Sequence, residues 1–149
     1  MSLLSRRGLL AIVAVLDVAL HARERPVAAK SLAERHHLPA RHLEPVLQSL
    51  VHQGILKGIR GPRGGYELAR ERRRISIDDI LRAVSPLEED EEFAVSNALQ
   101  AVVMPAIAEA ELAFSAALRR VTIADMAERA ESVEKDQAGE SDHKPNFAI

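Results

Sequence analysis

The side chains best suited to chemistry in this 149-residue chain are arginines. Arg41, His42, Glu44 and Gln48 fall within one amphipathic stretch. Arg60, Gly61, Arg63 and Gly64 lie in a glycine-rich turn, with Arg70, Arg72, Arg73 and Arg74 just beyond it. An arginine fork pairs with O6 and N7 of guanine and a glutamate accepts from N4 of cytosine, so Arg41 and Glu44 have the chemistry of major-groove readout. At i, i+3 spacing they equally suit an ion pair with each other on a solvated helix. Arg60 and Arg63 fit a narrow minor groove, where the negative potential is deepest, and a solvated turn is the alternative. Arg70, Arg72 and Arg73 suit phosphate contact or no specific contact.

Other chemistries are poorly served. Histidine is a ligand for zinc, copper or nickel, but His36 and His37 are neighbours that point apart on a helix, and neither His42 nor His52 belongs to an i, i+4 histidine pair enclosing a carboxylate. Solvated or phosphate-facing histidines are the reading, with no metal site. The acidic run at 88–92 lacks the glycine and alternating ligands of a calcium loop. Gly61, Gly64 and Gly65 match neither G-x-G-x-x-G nor G-x-x-x-x-G-K-[ST]. No Ser/His/Asp or paired-carboxylate arrangement stands out, so the chain reads as a non-enzyme without a cofactor.

Composition narrows the field further. Zero cysteines exclude disulfides, thiolate zinc sites, cysteine-ligated iron–sulfur clusters and a cysteine nucleophile. Four aromatics, Tyr66, Phe93, Phe114 and Phe147, are too few to stack single-stranded nucleic acid. The net charge of -2 conceals a division: 14 basic and 6 acidic residues give +8 over residues 1–74, while 6 and 16 give -10 over 75–149. A basic first half on an acidic second half outlines a nucleic-acid-binding head on a body that avoids phosphate. Chance segregation of solvated charge is the bland alternative.

The elements that would position these residues follow from periodicity. Ser5-Arg6-Arg7-Gly8-Leu9-Leu10 has the look of a twin-arginine export signal, but Asp17 interrupts the apolar run and charge fills the would-be cleavage region. Leu9, Ile12, Val13, Leu16 and Leu20 instead recur with a helical period, predicting a retained first helix with that stripe in the core and a cytoplasmic protein with no membrane segment. Residues 27–37 supply about two helical turns, and Pro39 opens a second helix with Leu43, Val46, Leu47, Leu50 and Val51 on one stripe, stopped at Gly54. Residues 55–60 and 66–69 then read as two strands around a turn at 61–65, the hairpin of a winged helix-turn-helix. Ser76-x-x-Asp79 caps a short helix over residues 77–84. A long helix is expected from the acidic run to about Arg120, kinked or split by Pro105, and Thr122-x-x-Asp125 caps a last short helix to about Glu134. The long helix has two apolar stripes, one with Val103, Ile107, Phe114 and Leu118 and another with Leu99, Val102 and Ala106, so one stripe packs on the head and the other requires a second copy.

Leu9 to Ala22, Ser31-Leu32-Ala33-Glu34-Arg35, Leu43-Glu44-Pro45-Val46-Leu47, Gly54-Ile55-Leu56, the turn from Arg60 to Ala69, and Ile75 to Ile80 together resemble the Rrf2 family of bacterial transcription regulators, which includes the IscR, NsrR, RirA and CymR groups. The resemblance runs continuously over about residues 1–85 and returns at Val121 to Asp125. It implies a homodimeric winged helix-turn-helix protein on a pseudo-palindromic DNA operator, usually as a repressor. It also implies that Arg41, His42 and Glu44 meet base edges and that Arg60 enters the minor groove, with Arg63 adding charge at the tip. Many members hold an iron–sulfur cluster through three cysteines in the stretch matching residues 85–98, which here has none. The chain therefore resembles the cluster-free branch, whose members respond to small molecules or partner proteins.

The expected architecture is mainly α with a small β-hairpin wing. It comprises a winged helix-turn-helix head over 1–85, dimerisation helices over 86–135 and a disordered tail over 136–149. The expected DNA-binding residues are Arg41, His42, Glu44, Gln48, Arg60, Gly61, Arg63, Gly64 and Arg72, with double-stranded DNA as partner. A protein-interaction adaptor and a histidine-dependent metal-responsive regulator are the alternative functions.

Overall fold

The computed structural model describes residues 4–85 and 96–141. Helix α1 (Arg6–His21) starts at Ser5, whose Oγ accepts from the Gly8 N–H at 3.0 Å. Helices α2 (Ala29–Arg35) and α3 (Ala40–His52) form the helix-turn-helix. Strands β1 (Leu56–Ile59) and β2 (Gly65–Leu68) pair antiparallel, with Leu56 opposite Leu68 and Ile59 opposite Gly65, making the expected hairpin. A 3-10 turn at Arg72–Arg74 leads to α4 (Ile77–Val84), where the expected Ser76 cap is one half of a capping box: the Asp79 N–H donates to Ser76 Oγ and the Ser76 N–H to Asp79 Oδ2. Helices α5 (Asn97–Arg119) and α6 (Ile123–Ser141) complete the chain. One apolar cluster joins α1 to α4 and reaches Ile123 of α6, with the α3 stripe of Leu43, Val46, Leu47 and Leu50 at its centre. At about 2 kcal/mol for each large aliphatic side chain withdrawn from water, that stripe holds α3 to the head and leaves its other face to solvent.

The buried face of α1 is not the expected one. Leu9 and Val13 are 46% and 37% exposed, while Gly8, Ala11, Ala14, Val15, Val18 and Ala19 are buried. Both faces are apolar, so period alone leaves the choice open. Close packing against α3 and α4 takes the face of small residues, because helix axes approach nearest where side chains are short. At Gly8 an added Cβ would lie 2.8 Å from the Leu81 side chain.

Both helices of the helix-turn-helix end in the same way. The Ile55 N–H donates to the Leu50 carbonyl and the Gly54 N–H to that of Val51, with Gly54 at φ 72. The Leu38 N–H likewise donates to the Ala33 carbonyl and the His37 N–H to that of Glu34, but here a histidine occupies the left-handed position, at φ 51. A glycine has no steric cost at such a position, and a residue with a Cβ carries about 1 kcal/mol or more.

A carboxylate lies inside this frame. The Asp17 side chain is 1% exposed, and Arg35 donates to it through Nε and Nη2, both at 2.9 Å. His36 Nε2 lies 2.6 Å from Oδ2, and because a carboxylate only accepts, that ring nitrogen carries the proton. Burial pushes the Asp17 carboxyl up, but hydrogen bonds from Arg35 and His36, with the charges of Arg35 and His21, more than offset this and hold it below the usual range. The pair ties the last turn of α2 to the middle of α1.

Helix α5 has no buried residue. Phe114, Ser115 and Leu118 are half-buried against the head, whereas Leu99, Val102, Val103, Met104 and Ile107 are exposed, so only the C-terminal part of one expected stripe reaches the head. Pro105 is accommodated without splitting the helix. The expected start at the acidic run lies outside the described residues. Helix α6 is longer than expected, continuing through residue 136, where a tail was expected, to Ser141, in keeping with the helix-favouring Ala, Glu, Lys and Gln of its second half. The remainder of the expected tail lies outside the described residues.

Two substitutions test these assignments. Asp17→Asn is expected to lower the unfolding free energy at pH 7 by about 2 kcal/mol, less than for a fully buried pair because Arg35 and His36 reach solvent. The Asp17 contribution is whole above the ordinary carboxylate range and is lost as pH falls through the depressed folded value. Urea unfolding at pH 7 and pH 3 should therefore show the difference between wild type and variant narrowing in acid. His37→Gly is expected to raise stability by about 0.5 kcal/mol, relief of the left-handed conformation outweighing the more flexible unfolded chain, as read by the urea midpoint.

Candidate nucleic-acid interface

The outward face of α3 carries Arg41, His42, Glu44 and Gln48, all exposed. Leu43, Val46 and Leu47 point inward between them, so the sequence that fills the core also fixes which polar residues reach solvent. Pro45 lies inside the helix without breaking it, and the Ser49 hydroxyl donates to its carbonyl at 3.0 Å. Arg7 Nη2 in turn donates to Ser49 Oγ at 3.0 Å, bracing the start of α1 against α3. Arg41 Nε meets only His42 Nε2, at 3.3 Å, and Glu44 and Gln48 have no hydrogen bond or ion pair among the described residues. The alternative Arg41–Glu44 pair is therefore not formed.

The hairpin tip is held just as firmly. Gly61 adopts φ 115, and an added Cβ at Gly64 would lie 2.1 Å from the Ile59 carbonyl oxygen. Two hydrogen bonds between Val27 and Tyr66, 2.9 and 2.8 Å, fasten β2 to the segment before α2. That approach needs Gly65, where a Cβ would lie 2.4 Å from the Val27 carbonyl oxygen. Arg60 and Arg63 stand exposed on this fixed turn, without partners among the described residues.

The arginines after the hairpin differ. Arg72 is half-buried and Nη2 donates to the Ala19 carbonyl, which commits this expected DNA contact to the end of α1. Arg70 donates to the Gly54 carbonyl at 3.2 Å and lies 3.7 Å from Asp79, while Glu71 engages Arg73 and Arg74. Two uncommitted arginines went unrecognised in the sequence. Arg6 faces a concavity of about 300 Å³ shared with Arg41 and His42, and Arg25 lies beside the hairpin. The signal for Arg6 was its place in the first turn of a helix, where the macrodipole disfavours positive charge.

A second buried carboxylate joins the head to α5. Asp78 accepts from Ser115 Oγ at 2.6 Å and Arg119 Nε at 3.3 Å, with Arg82 Nε at 2.9 Å. Burial opposes its ionisation, but the Ser115 and Arg119 hydrogen bonds and the charge of Arg82 hold the carboxyl below the usual range. Beside it, a cavity of about 630 Å³ opens between α1, α4 and α5, lined by Leu81, Phe114 and Leu118 together with Arg82 and Ser115.

A family model described as "Rrf2: Iron-dependent Transcriptional regulator" matches residues 4–129. The chain belongs to the Rrf2 family. It is 38% identical over 81 residues to the HTH-type transcriptional regulator IscR of Xenorhabdus nematophila, covering 54% of this chain and 49% of that protein. The IscR of Vibrio cholerae is 37% identical over 81 residues, 54% of this chain and 47% of its own. The chain thus spans about half the length of the curated relatives it matches. Among solved structures, T. potens IscR superposes with a TM-score of 0.71 at 34% identity, covering 87% of this chain and 89% of that one. CymR, the global cysteine regulator of B. subtilis, superposes with a TM-score of 0.62 at 30% identity, covering 87% and 98%. Rrf2 proteins are regulators rather than enzymes.

The iron in the family description does not fit these residues. The chain has no cysteine, and among the described residues no group of three His, Asp or Glu side chains could hold a metal ion. By length and composition α5 could cross a membrane, but Glu109 and Glu111 sit mid-helix, and Asp78 holds its C-terminal end on the head. Gly65→Ala tests the hairpin anchor. It is expected to lower the melting temperature by several degrees while Gly58→Ala, whose added Cβ meets open space, has a much smaller effect, as read by circular dichroism.

Proposed function

We propose that this protein is a DNA-binding transcriptional regulator, acting as a homodimeric repressor on an inverted-repeat operator and working without an iron–sulfur cluster. The observation that carries the reading is the set of uncommitted polar side chains on α3 and the hairpin, each borne on backbone that the core or close glycine contacts hold fixed. Arg41, His42, Glu44 and Gln48 are the base-reading residues, with Arg60 and Arg63 in the minor groove and Gly61 and Gly64 shaping the tip. Arg72 serves this reading less directly, through its hold on α1. Double-stranded DNA is the partner favoured by the +8 charge of residues 1–74.

The exposed apolar residues of α5, together with Leu9 and Val13 of α1, supply the surface for a second copy. A small-molecule or protein effector would couple to DNA spacing most simply at the cavity between α1, α4 and α5, because Asp78 joins the head to α5 there.

Two measurements test the proposal. Genome-wide recovery of bound DNA should return fragments sharing an inverted repeat, and against that duplex Arg60→Ala should reduce the slope of log affinity against log salt by about one. Affinity indifferent to sequence and salt contradicts the reading. Val102→Glu with Ile107→Glu should convert the protein to a monomer in sedimentation velocity and weaken operator binding at least tenfold, and an unchanged dimer would place the interface elsewhere.

A further inference from the structure

We propose that the cleft between the α1–α2 connection and the hairpin tip is a phosphate-binding site built from Arg25, Ser31, Arg35 and Arg63. The proposal rests on the DNA-binding reading and adds a contact outside α3 and the minor-groove arginine. The cleft has a volume of about 330 Å³, and three arginines, His21 and the Ser31 hydroxyl line it without any carboxylate. Arg25 and Arg63 have no hydrogen bond or ion pair among the described residues. Arg35 and His21 have Asp17 beneath them, but Arg25 and Arg63 face the same concave space with no counter-charge of their own among the described residues, and an arriving anion relieves the repulsion between them.

The geometry is fixed before any anion arrives. The two Val27–Tyr66 hydrogen bonds hold the walls together, and Gly65 lets them approach as closely as backbone allows. Arg35 is oriented from beneath: Asp17 takes its Nε and Nη2, which leaves the Nη1 donors uncommitted. A guanidinium held by a buried carboxylate loses little further freedom on binding, so Asp17 acts here as a positioning residue. The shared ligand chemistry is a phosphate group, carried either by the DNA backbone or by a free anion.

The test uses the full chain and two probes. A 24-base-pair duplex of arbitrary sequence is titrated by fluorescence anisotropy from about 50 to 200 mM salt, and inorganic phosphate is titrated while backbone amide NMR signals are followed. Arg25→Gln and Ser31→Ala are both exposed substitutions, and Arg129→Gln on α6 is the control. Arg25→Gln is expected to reduce the salt slope by about 0.9 while Arg129→Gln leaves it unchanged, which assigns the cleft to backbone phosphate. Phosphate-induced shifts of the Ser31 and Gly64 amides that vanish in Arg25→Gln, with an unchanged DNA slope, assign it to a free anion instead. If Arg25→Gln and Ser31→Ala alter neither measurement while Arg60→Ala still lowers the slope, the cleft proposal is overturned and the DNA-binding reading stands. If the wild type shows no salt-dependent DNA binding, that reading falls and the phosphate titration alone decides the cleft.

Discussion

An ionised carboxylate withdrawn from water has to be paired, and the pairing of Asp17 sets much of the geometry of the head. A charge at 1% exposure is tolerable only with hydrogen-bond donors against it, and the end of α2 supplies them: the Arg35 guanidinium brings the opposite charge and His36 a further donor. That end is where the chain turns through His37 into α3, so the bond made inside the head also fixes the origin of the helix whose outer face meets solvent. Asp78 repeats the arrangement at the other end of the head, drawing Ser115 and Arg119 of α5 against α4. Two buried acids thus connect the core to the two parts of the molecule that face outward.

The arginines divide by what the fold asks of them. Arg7, Arg35, Arg70, Arg72, Arg82 and Arg119 are committed to carboxylates, hydroxyls or helix-end carbonyls, and they brace one element against another. Arg6, Arg25, Arg60 and Arg63 have no such commitment among the described residues and belong to the helix start, the α1–α2 connection and the hairpin. Internal pairing uses up charge that would otherwise attract phosphate, so the basic surface is narrower than the arginine count suggests. Glycine reinforces the division: Gly64 and Gly65 place the hairpin where backbone meets backbone, and a side chain at either would displace the arginines next to it.

Apolar surface is divided with a similar economy. The small-residue face of α1 is consumed in the core, and its larger residues Leu9 and Val13 are left outside with the flank of α5. Leucine, valine and isoleucine side chains stand exposed along this 23-residue helix. The same feature satisfies the length and composition of a membrane span, while Asp78 holds the helix's C-terminal end against the head.

Much of this was legible in the chain itself. The helix-turn-helix, the hairpin, the Ser76–Asp79 cap and the inward stripe of α3 follow from local periodicity, capping chemistry and turn residues, which act over a few positions and need no partner element. The absence of cysteine by itself decided against a cysteine-held cluster. Tertiary structure decided what spacing could not: which of two apolar faces of α1 is buried, that Asp17 is a structural centre rather than an interruption, that Arg72 turns inward while Arg25 stays free, and that Arg41 and Glu44 do not pair. The pairing of Asp17 and the inward turn of Arg72 depend on residues 18 and 53 positions apart meeting in space. Burial and pairing there are properties of the assembled core, and a local pattern shared by two faces or by many arginines carries no record of which one the core selects.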